Sequence, residues 1–154
     1  MAEMIEHDIG LTAMVVVFVS VAGWNWFSER RRTRQIKDYA NSLSFDYIGA
    51  ALPPYFPLRK TSAGRATSFQ NAIAGRKNGT EVIVFDCRFG SGKSRSYRTV
   101  VAVFGAAQRF GVARFGPSLV SEEVDGWTLL YRQRYFPPAG RLRIDEIQML
   151  LLEV

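Results

Sequence analysis

The strongest constraint in this sequence is a run of nineteen residues, 9–27, that contains no charged side chain. As an α-helix it would be about 28 Å long, close to the ~30 Å hydrocarbon core of a bilayer. Trp24, Trp26 and Phe27 end the run, where aromatic residues would meet a membrane surface. The alternative is a buried helix of a soluble domain, but such helices rarely run this far without a polar face. The run therefore predicts a transmembrane helix.

The charges on either side of this run predict its orientation. Residues 1–8 hold three acidic residues and no Lys or Arg, whereas four arginines follow the run within residues 30–34. A basic flank normally stays on the cytoplasmic side, so the N-terminus is expected outside and the tail in the cytoplasm of an inner-membrane protein. A cleaved signal peptide would begin with basic residues, so the helix is expected to remain as an anchor. The expected membrane-interface residues are Trp24, Trp26, Arg30, Arg31, Arg32 and Arg34.

The same arginines allow two interpretations. They either determine only the orientation of the predicted helix in the membrane, or they also bind anionic lipid headgroups, which attract basic residues near a membrane surface. Topology by itself already accounts for them, and the second interpretation stays open.

Length and residue types limit what the rest of the chain can be. The sequence divides into a short extracytoplasmic N-terminus (1–8), the transmembrane helix (9–27), a basic flank and amphipathic stalk (28–44), and one domain (45–154). One Cys and one His in 154 residues exclude an intramolecular disulfide and a zinc framework. No metal and no cofactor are therefore expected.

Apolar periodicity predicts an α+β domain, an antiparallel β-sheet with a C-terminal helix packed on it. Residues that tolerate positive φ, at 77–79 and 90–93, separate three strands into two hairpins. Alternation in the middle strand places Val82, Val84 and Asp86 on one face and apolar residues on the other, so this strand should be central. The expected elements are strands 44–48, 66–75, 80–88, 94–104, 109–115 and 126–132, a surface loop at 52–57, a turn at 116–118, a polar loop at 122–125 and a helix at 141–152.

The segment Phe89-Gly-Ser-Gly-Lys-Ser94 is similar to a phosphate-binding loop. The full motif requires a glycine where this chain has Cys87, and it must lead into a helix whose amide hydrogens bind phosphate. Here an alternating, β-branched segment follows, which indicates a hairpin and not a nucleotidase. The basic residues around its tip are then either a solvated turn or a contact surface for an anionic group, namely Arg88, Lys93, Arg95 and Arg98.

The hairpin also carries a resemblance. Phe85-Asp-Cys-Arg-Phe-Gly-Ser-Gly-Lys-Ser94, followed by Tyr97-Arg-Thr-Val-Val101, resembles a motif in uncharacterised bacterial single-pass membrane-anchored proteins. In those proteins Tyr is usual at the position of Cys87 and Gln at that of Arg98. The resemblance implies a similar architecture and supplies no activity and no catalytic residues.

Neither catalysis nor nucleic-acid binding is favoured by these residues. A His-dependent hydrolase is not expected, because His7 and Cys87 would lie on opposite sides of the membrane. Asp86 lies in an apolar strand beside Arg88, and we expect a structural ion pair there, with a functional role as the alternative. Arginine alternates with aromatic residues in 131–136, as in a surface for stacked bases, but an amphipathic edge strand has the same pattern.

The remaining expectation is a non-enzymatic binding or scaffolding module at the cytoplasmic membrane face, with no catalytic residues. The alternative is a domain that binds phosphate or a lipid headgroup through the basic hairpin. Expected partners are the lipid bilayer, anionic headgroups or a membrane protein, whereas nucleic acid and nucleotide hydrolysis are less favoured.

Overall fold

The computed structural model of the chain describes residues 2–92, 95–105, 118–133 and 140–154. It divides into two compact units, Met1–Gln35 and Ile36–Val154. The first unit is formed by most of helix α1, Ala2–Leu43. The second contains the end of α1 and then β1 (Asp46–Gly49), β2 (Ser68–Lys77), β3 (Thr80–Phe89), β4 (Ser96–Phe104), β5 (Leu119–Val124), β6 (Trp127–Arg132) and α2 (Ile144–Leu152).

The strands form one antiparallel sheet in the order β1-β2-β3-β4-β6-β5. The predicted meander of three strands is confirmed as β2, β3 and β4, which pair in sequence order. Asn78 and Gly79 have positive φ angles of 51° and 81° in the first turn, the conformation that their residue types favour. β3 is interior and its central residues are buried, as its alternating apolar pattern predicts. The predicted antiparallel sheet with a helix packed on it is therefore confirmed.

The sheet has two differently covered faces, and the residues of β3 define them. The helix face carries Val82, Val84 and Asp86, and packs with α2 and the end of α1 into one apolar cluster. The loop face carries Ile83, Phe85 and Cys87, and packs into a second cluster with Phe56 and Ala63 of the segment between β1 and β2. The sheet is thus the middle layer of three, because a separate part of the chain buries each apolar face.

The segment between β1 and β2 covers the loop face mainly through one aromatic residue. Phe56 is buried and makes edge-to-face contacts with Phe85, at 5.7 Å between ring centroids, and with Trp127, at 5.1 Å. Two short 3-10 turns follow, at Leu58–Lys60 and Ser62–Arg65. The prolines predicted a loop across the surface here, and this loop is in addition the cover of one sheet face.

The C-terminal helix begins later than its apolar pattern predicts. The Thr99 amide donates to the Gly140 carbonyl at 3.1 Å, so the chain at Gly140 lies beside β4. A Cβ on Gly140 would lie 2.1 Å from the Tyr97 carbonyl oxygen, so only glycine allows this approach. The helix starts at Ile144, where the Arg143 amide donates to Glu146 Oε2 at 2.8 Å.

The predicted polar loop at 122–125 is wrong, because residues Leu119–Val124 form strand β5. Among the described strands, β5 is an edge strand that pairs with β6 alone, so its polar side chains can remain in contact with water. Only Asp125 and Gly126 form the turn, both with positive φ. The predicted strand at 109–115 and the first two residues of the predicted turn at 116–118 lie outside the described residues.

The predicted transmembrane helix at 9–27 is contradicted. Within the described part of the chain, no helix is sufficiently long and apolar for a membrane span. We therefore correct the predicted anchor, the inner-membrane location and the cytoplasmic orientation. The prediction rested on the absence of charged side chains in residues 9–27, and absence of charge alone does not make a helix apolar enough to cross a bilayer.

The predicted membrane-interface residues lie on α1. Trp24 is 77% exposed and Trp26 is 58% exposed. The Arg30 guanidinium lies over the Trp26 ring at 3.8 Å from its centroid. Arg30, Arg31 and Arg34 line a shallow pocket of about 360 Å³ with Trp26 and Phe27, whereas Arg32 is buried.

Candidate anion-binding site

The basic residues predicted at the hairpin, as far as the structure describes them, are not gathered on one surface. Arg88 lies opposite Tyr97 on β4, whereas Arg98 lies opposite Cys87 on β3. Since Cys87 is on the loop face and neighbouring residues of a strand alternate between faces, Arg88 is on the helix face and Arg98 on the loop face. Arg95 is exposed in the connection before β4, and Lys93 lies outside the described residues.

Arg98 lines a cleft of about 600 Å³ on the loop face, which we call the basic cleft. The two 3-10 turns form one wall of the cleft. Residues of β3, β4 and β5 form the other wall. Its ionisable lining consists of four cations and one carboxylate, which are Arg59, Lys60, Arg65, Arg98 and Glu122. Among these, Arg59, Lys60 and Arg65 are exposed at the rim, and Arg98 and Glu122 are half-buried.

The two 3-10 turns are held close together by small and polar residues. The Thr61 hydroxyl donates to the Leu58 carbonyl at 2.8 Å, and Ala63 is buried against the sheet. A Cβ on Gly64 would lie 2.5 Å from the Leu58 carbonyl oxygen and 3.1 Å from the Arg59 Cα. Because only glycine permits this approach, Gly64 fixes the first turn, and with it Arg59 and Lys60, beside the second.

Arg98 is held in place by aromatic rings and one hydroxyl. Its guanidinium carbon lies 4.8 Å from the Phe89 ring centroid and 4.3 Å from that of Tyr131. One terminal nitrogen, Nη1, donates to the Ser62 hydroxyl at 3.2 Å. The planar guanidinium stacks on aromatic faces and still presents several N–H groups, the donor set that binds carboxylate and phosphate oxygens in pairs.

Glu122 connects the edge strand to the second 3-10 turn. The Ser62 amide donates to both of its carboxylate oxygens, at 2.9 Å to Oε1 and 3.2 Å to Oε2. The Tyr131 hydroxyl also donates to Oε2, at 3.3 Å. Ser62 therefore bonds to both Glu122 and Arg98, and it links these two side chains within the lining of the basic cleft.

The charges of the cleft favour an anion. Lys60 pairs with Asp125 at 2.7 Å, but both side chains are largely exposed, so the pair is screened by water and worth little. Four cations against a single carboxylate leave an excess of positive charge in a concave surface, which raises the local concentration of anions.

The cysteine below the cleft does not supply a nucleophile at neutral pH. Cys87 is fully buried on the loop face. Burial raises the pKa of its thiol to about 12, and the opposing effect of Arg98 is smaller. Since the thiolate is the reactive form, this thiol stays protonated and inert near pH 7.

A second polar group, the carboxylate of Asp86, lies on the helix face and is buried from solvent. Asp86 is 1% exposed, and it accepts hydrogen bonds from the Thr99 hydroxyl at 2.5 Å and from the Asn71 side chain at 3.1 Å. Asn71 has a φ of 55° at a bulge in β2, which turns its amide toward the carboxylate. The ion pair between Asp86 and Arg88 stays a prediction.

Part of the aromatic and basic segment 131–136 is also described. Tyr131 lies on the loop face under Arg98, and Arg132 lies on the helix face, where it pairs with Glu146 of α2. These two residues alternate as the sequence predicts, and residues 134–136 lie outside the described part.

Sequence reasoning identified Arg98 and missed the other residues of the cleft. The predicted site lacks Arg59, Lys60 and Arg65, although three basic residues within seven positions after a proline-rich loop are a detectable signal. Glu122 carries no such signal, because its polar neighbours in the sequence resemble a loop. Among the described residues, no group of three or more His, Cys, Asp or Glu side chains is arranged to hold a metal ion.

Comparisons with protein-family models, with curated proteins and with solved structures found no match for this chain.

Proposed function

We propose that the sheet domain is a binding module for a small phosphate-bearing ligand, which the basic cleft holds without chemical conversion. The observation that carries this proposal is the position of Arg98, stacked between two rings and oriented by Ser62 in a cleft that three more cations line. A fixed guanidinium with exposed basic neighbours is well suited to binding phosphate oxygens.

The size of the cleft also supports a small ligand. Ligand pockets commonly enclose about 300–1,000 Å³, and the basic cleft of about 600 Å³ falls within that range. The sequence suggested the hairpin as the contact surface for an anionic group. The proposal keeps Arg98 from that set and replaces its other members with Arg59, Lys60 and Arg65.

The test compares a rim variant with a matched control in the full-length protein. Arg59→Gln with Arg65→Gln removes two exposed cations of the cleft, and Arg95→Gln removes one exposed cation of the hairpin that does not line it. Isothermal titration with pyrophosphate should show affinity at least about tenfold weaker in the double variant and unchanged in the control. Equal affinity in all three proteins contradicts the proposal.

A free phosphate ester and a lipid headgroup present the same phosphate chemistry, and a second measurement separates them. Sedimentation with phosphatidic acid vesicles is compared between the wild type and the double variant. A free ester is the ligand if the double variant loses pyrophosphate affinity alone, and a headgroup is the ligand if it loses vesicle binding as well.

A further inference from the structure

The basic cleft contains a carboxylate that a simple phosphate site would not need. Glu122 lines the cleft beside the four cations, and its negative charge repels a bound phosphate. Its role in holding the 3-10 turn requires only an acceptor for the Ser62 amide, which an uncharged amide side chain also offers. The turn by itself therefore does not require a charged side chain at this position.

Glu122 retains capacity for another hydrogen bond. A carboxylate offers about four lone-pair positions. The described donors to Glu122 are the Ser62 amide, shared between the two oxygens, and the Tyr131 hydroxyl on Oε2. Oε1 receives the Ser62 amide alone, so it can still accept a bond from a donor on a ligand in the cleft.

We infer that Glu122 determines specificity, and that the ligand is a phosphate ester that carries a hydroxyl group close to its phosphate, such as a polyol phosphate. This inference rests on the proposed function. The cations bind the phosphate oxygens, and Glu122 accepts the hydroxyl. An ester without that hydroxyl leaves the half-buried carboxylate with repulsion and no compensating bond, which is how a site built for a hydroxyl rejects its analogue.

The test uses two esters of equal charge on the full-length protein. Glycerol 3-phosphate carries hydroxyl groups next to its phosphate, and methyl phosphate carries none. By isothermal titration the wild type should bind glycerol 3-phosphate about tenfold more tightly, the ratio expected for one hydrogen bond to a charged group. Glu122→Gln should bind methyl phosphate more tightly than the wild type does, and the preference should fall well below tenfold, because the amide oxygen is an uncharged and weaker acceptor for the hydroxyl.

Two further variants keep the test decisive. Glu123→Gln removes the neighbouring carboxylate, which is exposed on the helix side of β5, and should leave the preference intact. Glu122→Asp keeps the charge but withdraws the carboxylate by one methylene, so it should lose the preference even if Glu122→Gln fails to fold.

The outcomes separate this inference from the proposed function. Wild-type protein that binds both esters equally overturns the inference and leaves the phosphate site in place. A preference that remains as large as in the wild type in Glu122→Gln or Glu122→Asp also overturns it. Wild-type protein that binds neither ester, nor pyrophosphate, overturns both.

Discussion

The two faces of the sheet are buried in different ways. The helix face is covered by α2 and the end of α1, whose backbone polar groups are satisfied within the helices. The loop face is covered by a proline-rich segment that contains only two short 3-10 turns. Such a segment must find partners for its amides elsewhere, and at Ser62 the partner is Glu122. The loop-covered face therefore has a polar opening, whereas the polar group of the helix face is enclosed.

The first prediction tests whether the loop covers its face as well as the helix covers the other. Phe56→Ala removes the ring that contacts Phe85 and Trp127, and Leu150→Ala removes a buried side chain of α2. We expect each to lower the free energy of unfolding by about 3–4 kcal/mol, the usual cost of deleting a large core side chain. Urea denaturation measures both losses. A loss below about 1 kcal/mol for Phe56→Ala would show that the loop does not contribute to the core.

The second prediction compares the contributions to stability of two carboxylates, Asp86 on the helix face and Glu122 on the loop face. Asp86→Ala leaves the Thr99 hydroxyl and the Asn71 amide without this acceptor inside the protein, so we expect a loss of about 2–3 kcal/mol in the free energy of unfolding. Glu122→Gln, on the more open face, should cost less than about 1 kcal/mol. The exposed control Glu123→Ala should change stability by no more than about 0.5 kcal/mol. Equal losses for Asp86→Ala and Glu122→Gln would remove the distinction between a sealed and an open face.

The third prediction uses the buried thiol of the loop face. The pKa of Cys87 is raised by burial from an ordinary value of 9.0 to about 12 in the folded protein. The unfolded chain releases this proton first, so the stability contribution is complete below pH 9 and is lost as pH rises from about 9 to about 12. The decrease is at most about 1.4 kcal/mol per pH unit. Denaturation of wild type and Cys87→Val across this pH range measures the decrease in the free energy of unfolding. The valine variant has no thiol to titrate, so it should lack this contribution to the pH dependence. Parallel curves would show that the thiol is reached by solvent.

Local sequence signals were sufficient for the three central strands. The alternation in residues 80–88 and the positive-φ residues Asn78 and Gly79 each depend on neighbours within a few positions. β5 was missed because its polar residues resemble a loop until its position at the sheet edge is known. The absence of charge in residues 9–27 was also a local signal, and it was not sufficient to establish a membrane span.

The basic cleft could not be predicted in the same way, because distant segments form it. The bond between Ser62 and Glu122 joins residues 60 positions apart, and the bond between Arg98 and Ser62 joins residues 36 apart. The strand order β4-β6-β5 brings Glu122 next to Tyr131 and hence to Arg98. Residue patterns indicate strands and turns, but they do not indicate which loop lies across which face.

The stacking of Arg98 between Phe89 and Tyr131 has a consequence for the thermodynamics of ligand capture. A free arginine side chain has about 2 kcal/mol of rotamer entropy, and Arg98 loses much of it when the chain folds. A ligand that binds Arg98 therefore does not have to immobilise this side chain, whereas contacts to the exposed Arg59 and Arg65 require these side chains to be ordered on binding. Contacts to Arg98 should consequently carry a smaller entropic penalty than contacts to the rim.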